Sequence, residues 1–281
     1  MEPDTSFWAS LEAFQFMRHA LLAGLLVGLT CSILSVYVVL KRLAFIGQGI
    51  SHSAFGGVAL ALYLFEKTAS ASLKIDATSL VFCTIVAILI GIVSRGRRIS
   101  SDSAIGIFFA VSMASGVIFI SLRRRYTGAV FSYLFGDILG VSSGDVILIA
   151  IVGAVVIGIV IAFYKELFFF CFDENLAGVS GLPVRFLHYL LLILLALTIV
   201  ISIKIVGIIL VSAFLVIPGS VARLLTGNFR KMILISITAG TLSVLSGLYL
   251  SNELEMPSGA TIVLVQFVIF LAAMIARKLR A

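Results

Sequence analysis

Long apolar runs broken by short polar punctuation dominate this chain. Ala20 to Leu40 and Val146 to Ala162 carry no charged residue, and such runs approach or exceed the roughly 20 residues that a helix needs to span bilayer hydrocarbon. Nine segments fit this description: 17–40, 48–65, 77–95, 103–121, 145–166, 186–203, 205–223, 231–250 and 259–278. The sixth and seventh nearly fuse across Ile201 to Val206, which predicts a tight helical hairpin and leaves eight as the alternative count. A barrel would instead show segments of about 10 residues with every second position polar. That alternation is absent, so the pattern predicts an all-α membrane protein, a polytopic bundle forming one transmembrane domain over residues 1–281.

Composition narrows the class. With 281 residues, 61% hydrophobic, 12% charged and a mean hydropathy of +1.23, both a water-soluble domain and a disordered tail are excluded. Cys31, Cys83 and Cys171 lie in or beside spans without CxxC spacing, which reads as buried thiols rather than a disulfide framework or a zinc cluster. The first residues, MEPDTSFWASLEAF, are acidic and precede no short apolar core with a cleavage site, so no removable targeting peptide is expected. Gly24 with Gly28, and Gly153 with Gly158, predict close helix contacts.

The net charge of +7 could suggest nucleic acid, but the basic residues sit in short loops rather than on one exposed face. They report topology instead. With the amino terminus outside, the inner loops hold Lys41, Arg42, Arg95, Arg97, Arg98, Lys165, Arg185, Arg223, Arg230, Lys231, Arg277, Lys278 and Arg280, thirteen of the 20 basic residues. Of the 13 acidic residues only Asp102, Glu166, Asp173 and Glu174 fall inside. Both biases predict an external amino terminus and a cytoplasmic carboxyl terminus. Arg123, Arg124 and Arg125 fall on the outer side, against the trend.

Three stretches could carry chemistry. Residues 47–57, GQGISHSAFGG, place His52 among glycines and serines at the start of a span, and intramembrane ionisable groups usually face a pathway or a partner. Gln48 lies four residues earlier on the same helix face, with Ser51 beside the histidine. An imidazole nitrogen and an amide oxygen there could meet one transition-metal ion. Alternatively His52 is a packing residue whose ring bonds to Ser51, Ser53 or a backbone carbonyl. The second stretch, Phe172 to Pro183, reads as a short amphipathic helix that Asp173 caps, Glu174 favours electrostatically, and Gly181 with Pro183 stops. It docks onto a partner or is a solvated turn. The third, Val206 to Ser220, contains Pro218 and Gly219, which could kink a span or line a cavity, or serve bundle packing.

Other motifs weigh less. Gly178-Val179-Ser180-Gly181 matches the GxSG string of intramembrane serine proteases, yet it shares one cytosolic turn with His188, and HExxH is absent. His19 and His188 read as interface residues. Asp137, Asp145, Glu253 and Glu255 fall near the outer face, where they could attract cations or be solvated. No GxxxxGK[ST] occurs, so an ATP-driven cycle would need a second polypeptide.

In order and spacing, KRLAFIGQGISHSAFGG, SDSAIGIFF, FSYLFGDILGVSSGD, FDENLAGVSGLP, VGIILVSAFLVIPGSVARLL and MPSGATIVL resemble the permease subunit of manganese, zinc and iron ABC importers, the ABC-3 family, over residues 17–278. The resemblance implies a type II ABC importer permease in a bacterial inner or plasma membrane, with no catalytic residues and no resident cofactor, and a divalent transition metal as cargo. It implies a second permease copy, identical or related, a pair of cytosolic ATPase subunits, and an extracytoplasmic metal-binding protein. It makes the loop at 173–183 a coupling helix in which Asp173, Glu174, Ala177, Gly178 and Gly181 transmit nucleotide-driven motion, and it places the path at the dimer interface. Where many members carry aspartate in G-D-A-x-S-H, this chain has Gln48, so His52 carries over more directly than its neighbour. Rival readings are a siderophore or cobalamin importer permease and a proton-coupled secondary transporter. The scarcity of buried carboxylates argues against the second rival.

Overall fold

The computed structural model describes residues 11, 13–65, 71–95, 99–122 and 140–280. Arg97, Arg98, Arg123, Arg124, Arg125 and Asp137 lie outside them, as does the whole of FSYLFGD. Among the described residues eleven helices follow one another: α1 (Gln15–Leu40), α2 (Ala44–Leu64), α3 (Ala71–Arg95), α4 (Ser101–Ser121), α5 (Ser143–Ala162), α6 (Tyr164–Phe172), α7 (Glu174–Val179), α8 (Val184–Phe214), α9 (Ile217–Leu225), α10 (Phe229–Glu253) and α11 (Ser258–Arg280). Nine segments within them are long and apolar enough to cross a membrane. Helices suit that solvent because they satisfy every backbone donor and acceptor within the segment.

Short connections make neighbouring helices antiparallel, and small residues set the contacts. On α1, Gly24 and Gly28 lie against Val244 of α10, and Ser32 lies against Gly240, so α1 and α10 run in opposite directions. Ser236 Oγ donates to the Ser32 carbonyl at 2.7 Å across the same seam. Gly153 of α5 receives Thr30 of α1. A Cβ at Gly158 would meet none of the described residues within 4 Å, so among them Gly153 alone of that pair makes a contact.

The α2 helix sits between α3, α4 and α8, and its glycines make that possible. A Cβ at Gly49 would lie 2.6 Å from Ile105 of α4, and one at Gly56 would lie 2.6 Å from the Ser112 carbonyl oxygen. Gly57 packs on Ser79 of α3, and Gly47 on Leu215 beyond α8. The glycines of GQGISHSAFGG therefore serve packing, with α2 and α4 parallel, since Gly49 meets Ile105 and Gly56 meets Ser112.

The sixth and seventh spans differ from a plain hairpin. Helical pairing carries α8 through both, but Gly207 is non-helical at φ 79°, ψ 162°. That left-handed region is open to glycine and strained for other residues. A second break at Leu215 and Val216 separates α8 from α9. Pro218 has no amide proton to donate, and Gly219 N–H instead donates to Ser35 Oγ of α1 at 2.8 Å. The break thus keeps its buried donor satisfied through a neighbouring helix.

The fifth span also ends earlier than its apolar run. At Phe163 the chain departs from helical geometry and continues as the separate helix α6, which places Leu167 and Phe170 in the core.

Candidate functional site

Two polar regions stand out, one on the α2 face and one at the end of the bundle where α7 lies. At that end α7 is a six-residue helix with a complete set of termini. Asp173 at its N-cap accepts from Leu176 N–H at 2.9 Å. Its other end is a Schellman turn: Gly181 at φ 82° donates to the Gly178 carbonyl, and Leu182 N–H donates to the Ala177 carbonyl, both at 3.1 Å. Ala177 is fully buried beneath the helix, whereas Phe172, Leu176 and Val179 are exposed, Val179 by 87%.

Glu174 ties α7 to two other helix ends. Its carboxylate accepts from Lys41 Nζ at 2.7 Å and lies 3.9 Å from Arg95 of α3. Lys41 follows α1, lies three residues before α2, and also sits 3.8 Å above the centre of the Phe170 ring. Its side chain is 12% exposed, so this charge is better shielded from water than an ordinary surface pair. Nearby, burial pushes the Cys171 thiol from 9.0 up to about 12, with Lys41 opposing and Glu174 adding to the shift. A recess of about 730 Å³ lies beneath α7, bounded by Lys41, Arg95, Ser101, Glu174 and His188.

The α2 face is organised differently. His52 is half-buried and meets the edge of Phe109 of α4, with ring centroids 4.8 Å apart at 79°. Among the described residues its buried Nδ1 finds no hydrogen-bond partner, nor does the buried Ser51 Oγ. Ser53 Oγ is occupied by the Gly49 carbonyl at 2.8 Å. The bonds to Ser51, Ser53 or a carbonyl that a purely packing histidine would make are thus absent for Nδ1. Leaving such a group unpaired costs about 1–3 kcal/mol. Gln48, one turn away, is exposed in a groove of about 300 Å³ between α2 and α4.

The remaining sequence candidates are placed as follows. Pro218 and Gly219 open α9, buried against Ser35 of α1. Ser180 is exposed at the end of α7, and His188 lies in α8 with Nε2 buried and unpartnered among the described residues. His19 Nδ1 is 3.3 Å from the Val141 carbonyl. Asp145 forms a capping box with Ser142 at the start of α5. Among the described residues no group of three or more histidines, cysteines or carboxylates could enclose a metal.

Sequence reasoning missed Lys41, Arg95 and Ser35 as partners because they are remote in sequence from the residues they serve. The local signal was the pair Lys41 and Arg42, separated from GQGISHS by four residues.

Comparison with known proteins agrees with this architecture. The chain is 36% identical to the manganese transport system membrane protein MntC of Halalkalibacterium halodurans, over 96% of this chain and 90% of that one. It is also 36% identical to the chelated iron transport system membrane protein YfeD of Yersinia pestis, over 94% and 86%. The solved structure of PsaBC from Streptococcus pneumoniae in complex with Fab superimposes with a TM-score of 0.84 at 31% identity, covering 98% of this chain and 99% of that chain. Residues 13–277 match the ABC 3 transport family, and the chain belongs to that family.

Proposed function

We propose that this chain is the membrane permease of an ATP-driven importer of divalent transition metals, with His52 on the ion path and α7 as the coupling helix. Its membership of the ABC 3 transport family carries the reading, and the manganese and iron systems of its relatives support the cargo class. The buried, unpartnered Nδ1 of His52 supports its role: a neutral imidazole nitrogen is a ready ligand for a borderline metal ion. Gln48 adds an amide oxygen one turn away. The groove-side face of α2, bearing Gln48 and the 59% exposed Phe45, faces a second permease copy, so that the path runs between two chains. An extracytoplasmic metal-binding protein delivers the ion.

ATP hydrolysis belongs to cytosolic partner subunits. The exposed apolar residues Phe172, Leu176 and Val179 suit a groove on such a partner, while Asp173, Ala177, Gly178 and Gly181 hold the shape that presents them. Lys41 then passes motion of α7 through Glu174 to the start of α2, three residues further on. In this arrangement the amino terminus is external, the carboxyl terminus is cytoplasmic, and Pro218 and Gly219 lie at the cytoplasmic half of a span clamped to α1. Metal uptake by vesicles containing the assembled complex tests the function. Loss of uptake in His52→Ala with assembly retained supports the site, and unchanged uptake returns His52 to packing. The name of the YfeD relative favours one second reading, a chelated metal as cargo; competition between free Mn²⁺ and a ferric chelate separates the two.

A further inference from the structure

The recess beneath α7 holds two buried polar atoms that the rest of the fold leaves unanswered. Arg95 Nη1 and His188 Nε2 are both shielded from water, and neither finds a hydrogen-bond partner among the described residues. Both residues line the recess of about 730 Å³. Geometry also makes them neighbours: a Cβ at Gly91 would lie 3.4 Å from His188 Nε2, and Arg95 follows Gly91 by one turn on the same face of α3. Glu174 does not satisfy the guanidinium, because its carboxylate is 2.7 Å from Lys41 Nζ but 3.9 Å from Arg95 Nη2, beyond hydrogen-bonding range. Two cations thus share one carboxylate, which leaves the lining of the recess with a net positive charge.

We infer that this recess binds the phosphate group of an anionic membrane lipid, with Arg95 and His188 as its donors. A guanidinium presents a fork of N–H groups that matches phosphate oxygens, and the Nε2–H tautomer of the imidazole adds a further donor. Lys41 contributes charge while staying bonded to Glu174. The level suits a lipid. Arg95 ends the span Lys74–Arg95, and Ser101 and Val184, which also line the recess, begin two others. Hydrocarbon gives way to headgroups at such span ends, and basic pockets between membrane helices on the cytoplasmic side hold phosphate headgroups. Leu43 and Val184 add an apolar wall that suits a glycerol ester and gains nothing from a bare ion. A lipid seated there fills the space beneath α7 and joins the ends of α3 and α8. The inference rests on the proposed orientation for one point alone, that the cytoplasmic leaflet supplies the lipid.

A basic residue in the last turn of a helix also complements the negative helix end. That role needs neither a buried Nη1 nor His188. The test uses the full-length chain in detergent, titrated with phosphatidylglycerol, phosphatidylcholine or inorganic phosphate and read by native mass spectrometry, with melting temperatures measured alongside. Wild type is expected to hold one phosphatidylglycerol about tenfold more tightly than phosphatidylcholine. Arg95→Gln should remove that preference, Arg95→Lys should keep part of it, and His188→Phe, which retains a ring without Nε2, should weaken it. Arg230→Gln, at an exposed position outside the recess, should leave it unchanged. Equal binding of the two lipids by wild type, or an undiminished preference in Arg95→Gln, overturns the proposal; should Arg95→Gln fail to fold, an undiminished preference in Arg95→Lys and His188→Phe does the same. If inorganic phosphate raises the melting temperature through Arg95 while phosphatidylglycerol does not bind, the recess takes a soluble phosphate and the lipid is wrong. If wild type shows no lipid preference and Arg95→Gln instead loses its ATPase subunits, the recess takes an acidic side chain of that partner, so the proposal falls while the α7 reading stands. An Arg95-dependent lipid preference in a chain whose assembly survives charge reversal of α7 upholds the proposal and overturns the α7 reading.

Discussion

The α7 helix itself and the α2 face treat their polar groups in opposite ways. At α7 the key groups are answered from within the chain: Glu174 by Lys41 and Arg95, Asp173 by Leu176 N–H, and the last carbonyls by the Schellman turn. On α2, His52 Nδ1 and Ser51 Oγ are buried and unanswered, and Gln48 opens into a groove. Saturated polar contacts make a segment move as a unit. Unsaturated ones in a packed helix keep capacity for something that is not part of the chain. The contrast fits a rigid lever at one end and a transient ion path along the other.

The largest expected effect breaks the scaffold common to both regions. Gly56→Leu would drive a side chain into the Ser112 carbonyl, 2.6 Å from even the first added carbon. We expect loss of the folded monodisperse protein in detergent, well beyond the about 1–3 kcal/mol of ordinary overpacking. A wild-type melting temperature for this variant would refute the packing account of α2.

Charge reversal comes next. Asp173→Lys with Glu174→Lys should abolish ATPase assembly and uptake, because it removes the cap and places like charges beside Lys41 and Arg95. Intact assembly and transport would show that α7 is not the lever. A finer version swaps one pair: Lys41→Glu and Glu174→Lys should each reduce uptake, and the double variant should recover part of it. Thermal unfolding should give that pair a coupling of about 1 kcal/mol, the upper range for a partly exposed ion pair. Purely additive losses would leave Lys41 as a solubilising charge.

The smallest effect concerns Cys171. Its thiol is raised from 9.0 to about 12 chiefly by burial, so it stays protonated at neutral pH and resists alkylation in the folded protein, since the thiolate is the nucleophile. The folded value lies above the unfolded one, so its contribution to stability is constant below pH 9 and declines as pH rises from about 9 toward 12. Rapid modification by iodoacetamide at pH 7 would mean that α6 opens readily.

Hydropathy made the spans legible because lipid imposes length and composition directly on each one. Local signals placed α7, because Asp173 starts it as N-cap and Gly181 ends it, each acting over a few residues. The end of α5 was not legible: the apolar run through Tyr164 conceals a break at Phe163, and the new helix α6 is set by burial of Leu167 and Phe170. Nor was the Ser35 hydroxyl that satisfies Gly219, since only tertiary packing joins residues 184 positions apart. The glycines of GQGISHS read as company for His52, whereas Gly47 and Gly49 serve contacts with Leu215 and Ile105. Asp102 registered only as a charge on the inner side, because the groove it lines with Gln48 arises from the parallel packing of α2 and α4.

The most direct test of the central claim is initial Mn²⁺ uptake into proteoliposomes containing the permease with its ATPase, comparing wild type with His52→Ala at matched assembly. The account predicts that His52→Ala hydrolyses ATP in the assembled complex yet loses most of its Mn²⁺ uptake. Uptake equal to wild type would contradict it and leave His52 as a packing residue against Phe109.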